Sequence, residues 1–447
     1  MKRLLMNQLV RWKTTPDRKP LVLHGARQVG KTYLLQEFGK KHFPATHYLN
    51  FEKNRQIHSI FNGNLDPKRI VSELELLLDI KIDGNDLLIF DEIQECPNAL
   101  TSLKYFHEEA PSYFICCAGS LLGVRYNEHA SYPVGKTTAL HLYPMNFEEF
   151  LTAQGEERIC SYINDNSRAG IHQISLSEAI HLRIWELLKV YMVTGGMPEV
   201  IKTYLENSEK SSPAALQQLR DVQTGIFSDY LLDMAKHSGN MKAMNIERVL
   251  KSVPSQLARE QGRYRFTDVI PGRRGFSSLA DPIDWLCGAG LIHKTMIANE
   301  AALPFSAYTK ENTFKLYMFD VGLLGALSEI PPRVILSYDY GRFKGYFAEN
   351  FVASEVIATG ETSQLHSWRH GTSEIEFIRE YNGTIYPVEV KAGINTKAQS
   401  LRTYMSRYNP PFGVIMSAMN TSSRGKIFNV PLYFAANLAT ILSQETR

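Results

Sequence analysis

Cysteine is scarce in this chain. Its five copies, at 96, 116, 117, 160 and 287 of 447 residues, form no CxxC pair and no metal-ligand spacing. That excludes a disulfide framework and a zinc-ribbon type of site. Cys116 and Cys117 are adjacent in an apolar run and read as buried thiols, as in a reducing cytoplasm. Long apolar stretches are missing too. No run approaches the roughly 18 residues a membrane span needs, so no membrane partner is expected. The opening MKRLLMNQLVRW lacks the apolar core of a signal peptide and reads as a short amphipathic helix. A cytoplasmic location is expected. Charge of one sign is also absent: Lys plus Arg number 49, Asp plus Glu 46, for a net +3. Bulk charge therefore implies no nucleic acid, and any basic footprint must be local. There is no internal repeat and no low-complexity segment. A globular chain of several domains remains.

PLVLHGARQVGKTYLLQEFGKK passes from an apolar run through a glycine loop into a helical pattern. Gly25, Ala26, Arg27, Gln28, Val29, Gly30, Lys31 and Thr32 match GxxxxGK[ST] in full, with Tyr33 next. Average composition gives roughly 0.02 chance matches in a chain this long. The glycines let backbone N–H groups turn toward phosphate oxygens, and the following helix aims its positive end at the same anion. Lys31 is expected at the β- and γ-phosphates of ATP, with the Thr32 hydroxyl on Mg²⁺. A second apolar run, DLLIFDEIQECP, ends in Asp91, the expected holder of Mg²⁺. Glu92 then stands where it orients or deprotonates the attacking water. The ordinary alternative is that Asp91 and Glu92 cap the next segment. A third strand, YFICCAGS, ends in Ser120, whose hydroxyl is expected near the γ-phosphate or the water, although serine also simply stops strands. THYLNFE is expected beside the two phosphate-site strands. Apolar strands alternating with helices predict an α/β domain with a parallel sheet covered on both faces.

From about 178 to 330 the pattern is mostly helical. SEAIHLRIWELLKVYMVTGGMPEVI stops at Gly195-Gly196 with Pro198 after it, as a helix C-cap does. Next come helix, turn, helix and a strand-like LIHKTMI, the order of a winged helix. Arg259, Arg263, Arg265, Arg273 and Arg274 cluster there, with Tyr264 and Phe266 interleaved. Such arginines can hold DNA phosphates. They can equally be solvated side chains on a wing used for packing or nucleotide sensing.

YPVEVKAG reads as a strand carrying Glu389 and Lys391 on one face. A cross-strand ion pair or a solvated edge would explain them. Upstream, EIEFIRE is another alternating strand, and Asn382-Gly383 between the two is a hairpin turn signal. Glu376 can then lie beside Glu389, and the helical GYFAENFVASEVIA can carry Glu349 to the same spot. Downstream, KAQSLRTYMSRY reads as a helix presenting Lys397, Arg402 and Arg407 to a phosphate backbone.

GARQVGKT, LLIFDEIQECP, CCAGSLLG and LHLYPMNFEEFL together resemble the prokaryotic AAA-type P-loop ATPases that carry an uncharacterised C-terminal region. YMVTGGMPEV, FKLYMFDVGLL and GYFAENFVASE resemble that region. The set Glu349, Glu376, Glu389 and Lys391 resembles the PD-(D/E)xK nuclease core. These resemblances imply an AAA-like ATPase domain at 1–177, a winged-helix-like region at 178–335 and a nuclease-like α/β domain at 336–447. They also imply a second Mg²⁺ held by Glu376 and Glu389, with Lys391 orienting water or neutralising charge. AAA-like sites often form between subunits, which leaves an oligomer open. There are two departures. Gly135-Lys136 stands where the family has Gly-Arg, and lysine lacks the planar fork of an arginine finger, a part Arg125 could take. Glu376 stands where the nuclease acid is usually Asp. Three functions are expected: ATP-driven processing of nucleic acid, an ATP-gated switch whose nuclease-like domain only binds DNA or protein, or a nearly inactive ATPase that binds nucleotide for stability alone.

Overall fold

The computed structural model describes residues 1–119, 135–207, 209, 211–238, 240–259, 262–267, 269–341, 343–362, 364–393 and 398–444. The chain forms two compact units, Met1–Tyr143 with Gly288–Gly290, and Pro144–Cys287 with Leu291–Arg447.

The first unit holds strands β1 (Leu21–His24), β2 (Thr46–Asn50), β3 (Leu87–Asp91), β4 (Phe114–Ala118) and β5 (Thr138–His141). All pairings are parallel, in the order β2-β3-β4-β1-β5. β1 and β3 are buried along their whole length, as strands covered on both faces must be. Val22, Leu88, Phe90, Ile115 and Cys117 join Ile70 and Leu74 of the helix Pro67–Leu78, and Leu100 and Leu103 of the helix Pro97–Glu109, in one core. β2 neighbours β3 but not β1, contrary to the sequence expectation. β4, apolar on both faces, takes the central place between β3 and β1. β2 leaves Thr46, His47 and Tyr48 partly exposed, which suits an edge. All five cysteines are free thiols, and burial pushes those of Cys116 and Cys117 well above the ordinary value.

The second unit begins with helices. Glu178–Thr194 is capped by Ser177, whose side chain accepts from the Ile180 amide, and ends at Gly195 with φ +67°. The glycine pair is a packing joint. A Cβ on Gly196 would lie 2.0 Å from the Met145 carbonyl oxygen, and the Gly196 amide donates to buried Asp320 at 2.6 Å. Helices Pro213–Ser238, Asn240–Leu257 and Ala280–Gly288 lead to strands β6 (Ile292–Ala298) and β7 (Thr309–Met318).

Seven more strands follow: β8 (Leu365–His370), β9 (Ser373–Ile375), β10 (Phe377–Tyr381), β11 (Thr384–Lys391), β12 (Gly413–Ser417), β13 (Ser422–Arg424) and β14 (Ile427–Pro431). They build two mixed sheets, ordered β7-β6-β8-β9 and β10-β11-β12-β14-β13. The first takes strands from both sides of position 335, with β6 parallel to β8 and antiparallel to β7. Asn382 and Gly383, at φ +47° and +80°, make the tight β10–β11 turn, with Tyr381 opposite Thr384. The single strand expected over EIEFIRE is broken at Glu376. The chain there leaves one sheet for the other, and alternation alone carries no sign of such a switch.

Candidate functional site

The glycine loop joins β1 to the helix Lys31–His42. Gly25 has φ +149°, and a Cβ on it would fall 2.2 Å from the Leu142 carbonyl oxygen. Gln28 at φ +62° and Gly30 at φ +94° continue the turn, which requires left-handed backbone. The loop backbone runs Gly25, Ala26, Arg27, Gln28, Val29, Gly30 and opens the helix at Lys31, Thr32 and Tyr33. Lys31 Nζ donates to the carbonyls of Gly25 (2.9 Å) and Ala26 (2.8 Å), so its ammonium lies inside the cradle. The Thr32 hydroxyl donates to Asp91 Oδ2 at 2.9 Å. β3 and the helix that follows β1, with only β4 between the two strands, thus bring a carboxylate and a hydroxyl together beside the loop. These are hard oxygen donors of the kind Mg²⁺ takes.

Three residues that sequence reasoning missed complete this site. Tyr48 OH donates to Asp91 Oδ2 at 2.6 Å, and burial together with Asp91 pushes its phenol up to about 12. Its signal was a tyrosine on the strand paired with β3. Gln94 Nε2 donates to Glu92 Oε2 at 2.5 Å. Glu92 itself sits at φ +51° and makes no side-chain cap for the segment it precedes. Buried Arg3 donates to the carbonyls of Val29 (2.7 Å) and Tyr143 (2.5 Å), which ties the loop to the end of β5. No local pattern announces that contact. Lys136 pairs with Glu108 at 2.8 Å. Ser120 and Arg125 lie outside the described residues.

In the second unit a cavity of about 230 Å³ gathers Glu349, Glu376, Glu389 and Lys391, drawn from a helix, the β9–β10 break and β11. Glu374, Lys315, Arg259 and Arg263 line it as well. Glu389 is buried on β11, and its Oε1 accepts from Lys391 at 2.6 Å. Its Oε2 is buried and has no hydrogen-bond partner among the described residues. Burial raises the Glu389 carboxyl, while Lys391 and the Leu401 amide pull it back. Glu376 Oε2 accepts from the Val390 amide at 2.9 Å. Burial and neighbouring Glu349 push the Glu376 carboxyl up to about 8. Glu349, on the helix Phe343–Ala358, accepts from Lys315 Nζ (3.1 Å) and Tyr317 OH (3.0 Å). Lys315 also meets Glu374 Oε1 at 2.5 Å. Burial alone would depress its ammonium, but Glu349, Tyr317, Glu374 and Glu376 outweigh that and raise it well above the ordinary lysine value. Lys315 was missed in the sequence. Its signal was a lysine two residues before a tyrosine inside the buried run FKLYM, the same spacing argument that singled out Glu389 and Lys391.

The arginine cluster divides. Exposed Arg259 and Arg263 line the cavity, whereas Arg265, Arg273 and Arg274 do not. The Arg265 main chain exchanges hydrogen bonds with Gln256, and Arg273 donates to the Ser278 carbonyl. The interleaved aromatics are packing residues. Tyr264 is 4% exposed and stacks on Phe314, and Phe266 packs against Phe276 and Phe314. Arg407 is committed to Glu300 at 2.7 Å, and Arg402 lines a separate hollow with Arg424. Lys397 lies outside the described residues.

Residues 17–151 match the family model described as an AAA domain. The first unit carries a P-loop domain of the AAA type. Residues 186–334 and 344–434 match two models described as domains of unknown function, DUF8612 and DUF4143. An uncharacterized protein of Methanocaldococcus jannaschii is 28% identical over 246 residues, which are 55% of this chain and 48% of that one. The chain therefore spans about half the length of that relative. Among solved structures, Cdc6p from Pyrobaculum aerophilum shares 15% identity over 75% of this chain and 96% of its own, at a TM-score of 0.29. The Aeropyrum pernix Orc1 protein, solved in complex with DNA, shares 11% over 74% and 92%, at 0.27. No helix among the described residues is long and apolar enough to cross a membrane.

Proposed function

We propose that the protein binds Mg–ATP at the glycine loop and hydrolyses it to drive or gate a nucleic-acid-associated activity of the second unit. The observation that carries this reading is the Thr32 hydroxyl held 2.9 Å from Asp91 beside the loop that encloses the Lys31 ammonium. Thr32 and Asp91 would hold Mg²⁺, which when bound neutralises charge developing between the β- and γ-phosphates. Lys31 leaves the Gly25 and Ala26 carbonyls for phosphate oxygens. The loop amides and the positive end of the helix Lys31–His42 bind the same anion. Glu92, steadied by Gln94, takes a proton from the attacking water and keeps it in line with the γ-phosphorus.

The test is phosphate release from Mg–ATP with and without duplex and single-stranded DNA. Lys31→Ala should abolish release. Glu92→Gln should keep ATP binding and slow turnover by roughly 10²- to 10⁴-fold. Release that persists in Lys31→Ala would overturn the assignment. Stimulation by DNA supports the nucleic-acid reading, and indifference to DNA favours a protein-directed switch.

A second reading, a binding module that does not cut, is favoured by two contacts. Lys315 engages Glu349, and the long Glu376 side chain folds back onto the Val390 amide. Mg²⁺-dependent cleavage of plasmid DNA that is lost in Glu389→Ala and kept in Glu92→Gln would decide for a nuclease. No cleavage by the wild-type chain would decide for the module.

A further inference from the structure

Four carboxylates share the second unit's cavity, and each already has some of its capacity filled. Glu349 Oε2 receives two donors, Lys315 Nζ and Tyr317 OH, from one face of β7. Glu374 Oε1 takes the same ammonium. Glu374 also lies against Gly262, where a Cβ would fall 1.9 Å from its Oε2, so it has little room to swing away. Lys315 is 9% exposed on the paired strand β7, with its ammonium between Glu349 and Glu374. The remaining capacity is at the other pair. Glu376 has one oxygen on the Val390 amide, and Glu389, which lines the cavity, has a buried Oε2 with no hydrogen-bond partner among the described residues. A buried carboxylate oxygen without a donor is a place for a cation. Among the described residues no group of three or more His, Cys, Asp or Glu side chains is arranged around a metal position.

We propose that the Lys315 ammonium is a built-in cation of this cavity, fixed between Glu349 and Glu374, so that the cavity takes a single divalent cation, at Glu376 and Glu389. This rests on reading the cavity as a cation-assisted phosphate site, with Arg259 and Arg263 at its mouth. It separates Glu349 from the metal: that residue positions Lys315. A two-ion centre clamps both the attacking and the leaving oxygen. Here one of the two positions carries a single positive charge that is present at every Mg²⁺ concentration.

The test is a Mn²⁺ titration of the full chain without nucleotide, followed by electron paramagnetic resonance. The readout is the number of ions lost in Glu389→Gln, so ions bound elsewhere drop out. One ion should be lost. Glu349→Gln should leave the count unchanged, and Lys315→Met should raise it to two. Loss of two ions in Glu389→Gln, or loss of an ion in Glu349→Gln, would overturn the role of Lys315 while leaving a metal site. No ion lost in Glu389→Gln would overturn the cation-assisted reading itself. If Lys315→Met does not fold by circular dichroism, the Glu389→Gln and Glu349→Gln counts decide alone. None of these outcomes bears on phosphate release at the glycine loop.

Discussion

Asp91 is where residue-scale chemistry can be read most directly. One of its oxygens accepts from both Thr32 and Tyr48. A carboxylate held by two hydroxyls cannot rotate freely, so its free oxygen capacity is aimed rather than averaged. A hydrogen bond to a charged group contributes roughly 1.5–3 kcal/mol when dry, and Tyr48 is 39% exposed, so about 1 kcal/mol is the fitting figure. Tyr48→Phe should therefore raise the Mg²⁺ concentration for half-maximal phosphate release roughly fivefold, with ATP affinity little changed. An unchanged Mg²⁺ curve would mean that the tyrosine only packs. The meeting of Lys31, Thr32 and Asp91 was legible because a GxxxxGK[ST] loop after an apolar run, and an apolar run ending in Asp, are local patterns. Tyr48, Gln94 and Arg3 were not, because each acts through a contact that only the folded sheet creates.

Among the elements, the β10–β11 hairpin shows what local signals can and cannot specify. Its turn was legible because Asn-Gly tolerates two successive left-handed residues. A Cβ at Gly383 would meet nothing within 4 Å. Gly383→Ala should thus cost only the backbone preference, about 1–2 kcal/mol, in urea unfolding, with the hairpin kept. Gly25→Ala, with the Leu142 carbonyl in the way, should instead distort the loop and lose ATP binding. The break at Glu376 was illegible for the opposite reason. Apolar alternation runs straight through it, and only the competition between two sheets for β9 and β10 decides where the strand parts. The place of β2 at the sheet edge is the same kind of fact, set by which strand most needs covering on both faces.

At the scale of the whole molecule, the second unit holds acids whose burial favours the neutral form. Glu355 accepts the Phe147 amide on both oxygens, and burial pushes its carboxyl up to about 8. Burial also raises Asp320 to about 6. For both, the folded value lies above the unfolded one. Their contribution is complete below the ordinary carboxylate range and is lost as pH rises through the folded value. The second unit should unfold at a lower temperature at pH 8.5 than at pH 6. Glu355→Gln, neutral throughout, should flatten that slope, and an equal slope in the variant would place the charge elsewhere. The arrangement of β6 against β8 reaches further. A fragment of residues 336–447 would present β8 with one side open, an edge that recruits other chains, and should aggregate where 291–447 does not. A recombination event near residue 335 would hand each descendant half of a sheet. The strands on either side of position 335 therefore depend on one another for their main-chain hydrogen bonds.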